Sequence, residues 1–261
     1  MSYLQDILEL DFAYLETFTT RTDTNWGILF CNENQPQYFD ANHAHVSNFV
    51  HEPQSIINEV VMYYQSKGII PRFYIYNLDI QKEFLSLLEE NKFSMEQLIS
   101  PVQIWNKEVF EKVTPDSITI ELVTEKNYSE ALDIECSIKE FGGRTVREKA
   151  FEQEFNHPKF KHYLLRYKDV ACATACLFVN NNQARMESVA TLEEYRGKGL
   201  IGYLIHHIQV EVRNMGLENL WVFPINEKIE KVYQKYGFTT VRKIKVGHAF
   251  LGGKSIKEIQ G

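Results

Sequence analysis

A chain of 261 residues, 44% of them hydrophobic and 24% charged, has the apolar content to bury a core and lacks the charge excess of a disordered coil. The N-terminal stretch MSYLQDILELDFAYLE has no basic start before an apolar run, and nothing approaches the roughly 18 uninterrupted apolar residues of a membrane span, so a cytoplasmic protein without membrane attachment is expected. The net charge of −7 is uneven: residues 1–116 carry 7 Lys and Arg against 17 Asp and Glu, and residues 117–261 carry 21 against 18, which makes the second half the better host for an anion, while the lack of a long basic run makes a nucleic-acid backbone a poor fit.

In the first half, His43 and His45 alternate as strand neighbours, with no third metal ligand in view. An amphipathic helix follows, IINEVVMYYQSKG (56–68), then an aromatic strand, a helix that closes on Phe93, and alternating strands to Trp105. The segment KEVFEKVTPDSITIELVTE carries a Pro-Asp-Ser turn signal ahead of an alternating strand, and predicts a domain junction at 114–117 between domains 1–113 and 117–261.

From the junction the pattern predicts a strand at 118–123, helices at 128–141 and 144–155, and strands at 163–167, 171–179 and 184–191. A helix at 199–215, a strand at 220–223, a helix at 227–236 and strands after Phe238 complete the order. The fold class is mixed α/β. Residues 216–250 repeat the plan of 68–105, and the helix LIHHIQVEVRNMG (204–216) matches 56–68 in kind, so two similarly folded halves are expected, with Leu88 opposite Tyr233 when Phe93 and Phe238 are aligned.

Cys31, Cys136, Cys172 and Cys176 show no CxxC spacing, and the last two sit in an apolar run that reads as a buried strand; structural thiols are expected, with neither zinc nor a disulfide framework. His206 and His207 are adjacent on one helix and point in different directions, which suits surface or core histidines better than a shared metal. Glu135, Glu140, Glu148, Glu152 and Glu154 are interrupted by Arg144, Arg147 and Lys149, the pattern of a solvated helix face.

The stretch TLEEYRGKGLIGYLI places Gly197, Gly199 and Gly202 where a strand hands over to a helix. Glycine weakens a helix, so a cluster at its start points to close approach of backbone to a ligand. Unpaired N–H groups and the helix dipole make such a mouth an anion site, a diphosphate being the natural occupant, with Arg196 and Lys198 adding charge at the rim. Leu200, Leu204, Ile208 and Val212 give the helix its core face. GxxxxGK[ST] is absent, which disfavours nucleotide triphosphates; Gly197, Gly199 and Gly202 have the G-x-G-x-x-G spacing, but that spacing alone is unspecific and a dinucleotide reading stays weak.

The run Arg196-Gly197-Lys198-Gly199-Leu200-Ile201 resembles the [Q/R]-x-x-G-x-[G/A] loop of the GNAT N-acetyltransferase superfamily, with Ile201 in the sixth position and Gly202 one place late. MESVATLEEYRGKG resembles the family strand leading into that loop. Asn226, Ile229, Tyr233, Lys235, Gly237 and Phe238 resemble its downstream N-x-x-[A/I]-x-x-x-Y-x-K-x-G-F element. The resemblance covers roughly residues 118–250, and implies tandem GNAT-like domains, each a central mixed sheet flanked by helices, the N-terminal one a degenerate copy.

It further implies acetyl-coenzyme A as donor, a primary amine on a small molecule or a protein as acceptor, and direct attack without a covalent enzyme intermediate or a metal. Diphosphate would rest on the amides of Gly197, Lys198, Gly199, Leu200, Ile201 and Gly202, and the pantetheine arm would pair along Val189, Ala190 and Thr191. The Val189 N–H would face the oxyanion, and Tyr233 would act as general acid, its alternative being core packing. Glu187, placed by two-residue alternation on the face of Val189 and Thr191, would serve as base directly or through water, its alternative being a solvated carboxylate. Asn226 would orient the pantetheine or cap a helix. A coenzyme-binding sensor without turnover and an aminoacyl-transfer enzyme with paired GNAT-like domains are the competing readings.

Overall fold

The computed structural model describes residues 3–109 and 113–260. Residues 110–112, in the stretch that carries the predicted junction, lie outside the described residues. In chain order the elements are α1 (Tyr3–Leu15), β1 (Thr20–Asp23), β2 (Ile28–Cys31), β3 (His43–Val46), α2 (Pro53–Gln65), β4 (Arg72–Ile75), α3 (Lys82–Glu90) and β5 (Ser94–Trp105). They continue as β6 (Ile118–Leu122), α4 (Tyr128–Cys136), α5 (Arg144–Asn156), β7 (Phe160–Tyr167), β8 (Val170–Asn180), β9 (Gln183–Thr191), α6 (Ile201–Asn214), β10 (Asn219–Val222), α7 (Glu227–Gln234), β11 (Phe238–Phe250) and α8 (Ile256–Gln260).

The chain divides into two compact units, one made of the residues up to Leu10 with Pro101–Lys243, the other of Asp11–Ser100 with the residues from Ile244 onward. Each holds a mixed sheet flanked by helices. In the first, β6, β7, β8 and β9 run antiparallel, β9 and β10 pair in parallel, and β10 pairs antiparallel with β5 through Trp221↔Ile104 and Val222↔Gln103. In the second, β1, β2 and β3 run antiparallel, β3 and β4 in parallel, and β4 pairs antiparallel with β11 from Gly247↔Ile75 to Phe250↔Arg72.

Residues 101–109 thus share a unit with 117–243, and residues 244–260 share one with 11–100, so the division does not follow the expected ranges 1–113 and 117–261. The closing strand of each repeat pairs in the unit of the other. Alternating apolar residues mark β5 and β11 as strands, but nothing local in a strand names its partner.

The repeat plan shows in matched helix ends. Gly68 and Gly216 both have φ of 68°, and each closes its helix with the same pair of bonds: Gly68 N–H to Gln65 and Ile69 N–H to Tyr64, Gly216 N–H to Arg213 and Leu217 N–H to Val212. Left-handed backbone at this position is what glycine supplies without strain. Between them α2 buries Ile56, Ile57, Val60 and Tyr64, and α6 buries Leu204, Ile205, Ile208 and Val212.

The core of the second unit forms around Val60, Tyr64, Phe73, Ile75, Phe84 and Leu88. His43 and His45 are buried in this unit, stacked on Tyr74 and tilted against Tyr76 with ring centroids 4.1 and 4.6 Å apart. In the first unit a cluster of Met186, Leu200, Leu204, Ile208, Val212, Leu220 and Tyr233 is distinct from a cluster of Ala131, Ile134, Phe151, Leu164 and Ala190 under α4 and α5. The predicted helix 128–141 stops at Cys136, and a short turn, Lys139–Phe141, leads to Gly142 and Gly143 at φ of 85° and 76°.

Candidate functional site

The last β9–β10 pair is Met186↔Val222, and β9 runs on to Thr191 after β10 has ended. Within this overhang two residues, Ser188 and Val189, stand opposite the single Ala175, between the pairs Glu187↔Cys176 and Ala190↔Thr174. Ser188 adopts φ of 49° to fit the extra residue. Such a bulge shifts the alternation by one place. Val189 consequently packs against the cluster that holds Met186, whereas Ala190, 2% exposed, joins the cluster under α4 and α5.

The shift corrects the placement of Glu187 on the face of Val189. Glu187 instead pairs with Arg185, two residues earlier on its own face, and the Arg185 guanidinium lies 4.2 Å from the centroid of Phe223. Arg185 was not legible as a site residue from any motif; its one signal is the i, i+2 spacing to Glu187.

After Thr191 a short turn, Glu193–Tyr195, carries the chain into the glycine loop and α6. Gly197 and Gly199 have φ of 77° and 70°, and a Cβ built on either meets nothing within 4 Å. Steric filling by the protein therefore does not explain these glycines, but the backbone conformation does. The α6 N-cap, Leu200, makes no side-chain capping bond. The N–H groups of Gly197, Lys198, Gly199, Leu200 and Ile201 have no main-chain acceptor among the described residues, while Gly202 N–H donates to Gly199 and Tyr203 N–H to Leu200.

Gly202 differs from the two loop glycines. It is buried in the first turn of α6, and a Cβ there would lie 2.4 Å from the Tyr236 hydroxyl, so close packing is what demands glycine. Leu200 is also buried and Ile201 packs on the same cluster, leaving backbone as what these residues offer a ligand. At the rim, the Arg196 Nε donates to the Thr191 carbonyl at 3.1 Å, and the Lys198 Nζ sits 4.6 Å from the Tyr195 ring centroid.

Tyr233, on α7, is 5% exposed and belongs to the cluster against which Val189 and Ile201 pack; its ring meets Phe238 edge-on at 5.6 Å. Burial pushes its phenol well up from the ordinary value, so the proton stays on oxygen at neutral pH. Asn226 is the N-cap of α7, its Oδ1 accepting the Ile229 N–H at 3.0 Å. The fold thus brings Val189, Leu200, Ile201 and Tyr233 together around one cluster and sets Glu187 with Arg185.

Two of the glutamates expected on a solvated face are inside. Glu135 and Glu154 are 0% and 4% exposed, and both accept from Arg147, itself 5% exposed. His206 and His207 are half-buried, and burial pushes the His207 imidazole down. Cys172 and Cys176 are fully buried on β8.

Residues 128–238 match the model of the acetyltransferase (GNAT) family. The GCN5-related N-acetyltransferase from Kribbella flavida superposes with a TM-score of 0.72 at 14% identity, over 97% of each chain. A functionally unknown conserved protein from Staphylococcus epidermidis ATCC 12228 superposes with a TM-score of 0.69 at 13% identity, over 93% of this chain and 98% of that one. A tandem GNAT protein from the clavulanic acid biosynthesis pathway gives 0.59 at 10% identity, over 94% of this chain and 89% of its own. At such identities the likeness establishes the fold. Among curated proteins none matches the chain. Among the described residues no helix is long and apolar enough to cross a membrane.

Proposed function

We propose, from the premise that residues 128–238 belong to the acetyltransferase (GNAT) family, that the protein moves an acetyl group from acetyl-coenzyme A to a primary amine of a small molecule or a protein. The observation that carries this reading is the uncapped mouth of α6, where Gly197 and Gly199 hold positive φ with open space above them. Peptide N–H groups at a helix N-terminus suit a diphosphate, and coenzyme A supplies one together with a thioester.

The residues divide the work by what each can offer. Gly197, Lys198, Gly199, Leu200 and Ile201 present main-chain donors to the diphosphate, and the exposed Arg196 and Lys198 add positive charge. Gly202 contributes by letting α6 close on Tyr236. The β9 overhang from Glu187 to Thr191 offers peptide groups to a pantetheine arm, and the Val189 N–H is the donor assigned to the oxyanion that forms as the amine attacks. Tyr233, its proton retained through burial, is the general acid in that its O–H donates a hydrogen bond to the sulfur as it leaves, the proton that the attacking amine gives up making good the one the thiol takes. Asn226 supports the site by fixing the start of α7, which carries Tyr233.

Glu187 accepts the amine's proton through a water. Because its carboxylate is held by Arg185, Glu187 is given a smaller share of the rate than Tyr233. The reading is tested by calorimetry with acetyl-coenzyme A, followed by a broad amine panel in which release of the free thiol is followed. Tight binding with thiol release on some amines is expected. Failure to bind removes the loop from the mechanism, and binding without release on any amine removes the transfer.

A further inference from the structure

Beneath α4 and α5, apart from the glycine loop, the sheet face of β7 and β8 carries a group of chemically active side chains with almost no exposure. His162 comes from β7, Cys176 from β8, Glu154 and Arg147 from α5, and Glu135 from α4, and none exceeds 5% exposure. The His162 Nε2 lies 3.6 Å from the Cys176 Sγ and 3.6 Å from the Glu154 Oε2. One donor atom from each of Glu154, His162 and Cys176 falls within 4.8 Å of the others.

We propose that Glu154, His162 and Cys176 form a site for a divalent transition metal of the zinc type, with Glu135 and Arg147 holding its ligands in place. The spacing is the first reason. Metal bonds of about 2.3 Å to sulfur and about 2.0 Å to nitrogen, opened at the tetrahedral angle, separate those two donors by about 3.5 Å. Against that, 3.6 Å is too long for an imidazole N–H bonded to a carboxylate, where about 2.8 Å is usual.

The surroundings are the second reason. On the far side of the ring the His162 Nδ1 is buried without a hydrogen-bond partner and faces the Glu135 Oε1, equally unpartnered, at 3.7 Å. A ligating histidine characteristically donates its other N–H to a carboxylate. Arg147 in turn fixes both glutamates, its Nε on Glu135 at 2.5 Å and its Nη1 and Nη2 on Glu154 at 3.0 and 2.5 Å. Each carboxylate oxygen has a second lone pair, which leaves the Glu154 Oε2 free to bind metal as well.

Charge is the third. Two carboxylates, one thiolate and one guanidinium sum to −2, which a dication cancels. On binding, the Cys176 S–H bond breaks, its proton leaves to solvent, and the sulfur lone pair forms the bond to the metal. A thiolate, an imidazole and a carboxylate are a donor set suited to zinc, with a water for the fourth position. Loaded, the site joins α5 to β7 and β8. Spacings of eight and fourteen residues between the ligands match no sequence motif.

The test uses the full chain stripped by a chelator and titrated with Co2+. Uptake of one equivalent is expected, with tetrahedral d–d bands, a thiolate-to-cobalt charge-transfer band and a rise in melting temperature. Cys176→Ser abolishes the charge-transfer band, Cys172→Ser retains it, and Glu135→Gln weakens Co2+ binding about 10- to 100-fold, the usual effect of losing an outer partner. Wild-type protein that takes up no stoichiometric Co2+, or shows no charge-transfer band, overturns the proposal whether or not the variants fold. A band that survives Cys176→Ser overturns it equally.

Discussion

Gly199 offers a test in which shape and charge separate cleanly. Asn and Asp at this position have the same size, and both enter the left-handed region more readily than other residues with a Cβ. Relative to glycine each costs about 1 kcal/mol of loop conformation at the observed φ of 70°. Neither meets protein, since nothing lies within 4 Å of the Cβ. Their difference is therefore the interaction of one negative charge with whatever occupies the loop. For a single phosphate charge about 4 Å away, that repulsion is about 1 kcal/mol at the dielectric of water and about 4 kcal/mol at the effective value of 20 found near protein surfaces.

Gly199→Asp should accordingly bind coenzyme A roughly 5- to 1,000-fold more weakly than Gly199→Asn. Calorimetry with coenzyme A measures the ratio directly. Raising the salt from 0.1 to 1 M shortens the screening length from about 10 to about 3 Å, so the ratio should shrink as salt is added. Equal affinities for the two variants, or a ratio indifferent to salt, would refute an anion on this loop.

Tyr233→Phe should leave coenzyme affinity within about threefold and lower turnover by about 10²- to 10⁴-fold, the usual worth of a positioned proton donor; unchanged turnover returns the side chain to packing. Deleting residues 1–113 removes β5 from β10 and with it the buried Val102, Gln103 and Trp105. Loss of one buried Trp alone costs about 3–5 kcal/mol against a total of about 5–15, so circular dichroism should show an unfolded fragment; a folded fragment that binds coenzyme would contradict the exchanged pairing. Burial pushes His43 and His45 down to about 3 each. The unfolded chain then takes up protons first, so stability present at pH 7 falls as pH drops below about 6.5 and stops falling near 3. Each residue contributes about 2 kcal/mol of loss between pH 7 and 5. Urea unfolding at the two pH values checks this, and equal midpoints would contradict the burial.

Local pattern was enough to read the helix face of α6, the glycine handover into it, and the alternation of the flanking strands. Gly68 and Gly216, which the repeat plan aligns, end their helices through the same backbone requirement. Partner choice was not legible. The strands β5 and β11 look alike in sequence, and their pairing with β10 and β4 is settled by packing across more than a hundred residues. The bulge at Ser188 was hidden for a related reason: one inserted residue leaves no compositional mark, yet it moved Glu187 off the face of Val189. Burial of Glu135 and Glu154 is not legible in the sequence because the pattern of charges along a helix does not show that Arg147 meets them in the interior.

The proposed function places the coenzyme in one repeat and not the other on two local differences. In the first repeat β3 ends at Val46, level with its last β4 partner Ile75, so the strand has no overhang. In the second, β9 continues five residues past Met186. The helix mouths differ as well. At α2 the exposed Glu52 is the N-cap and Pro53 follows it, which places a negative charge and removes an N–H donor where an anion would need the reverse. At α6 the corresponding turn presents free amides and two glycines at positive φ. A helix mouth with free amides beside strand backbone unpaired on one edge is met in the second repeat, and on the proposed function a chimaera that moved the loop 196–200 onto α2 would still lack the strand to hold a pantetheine arm.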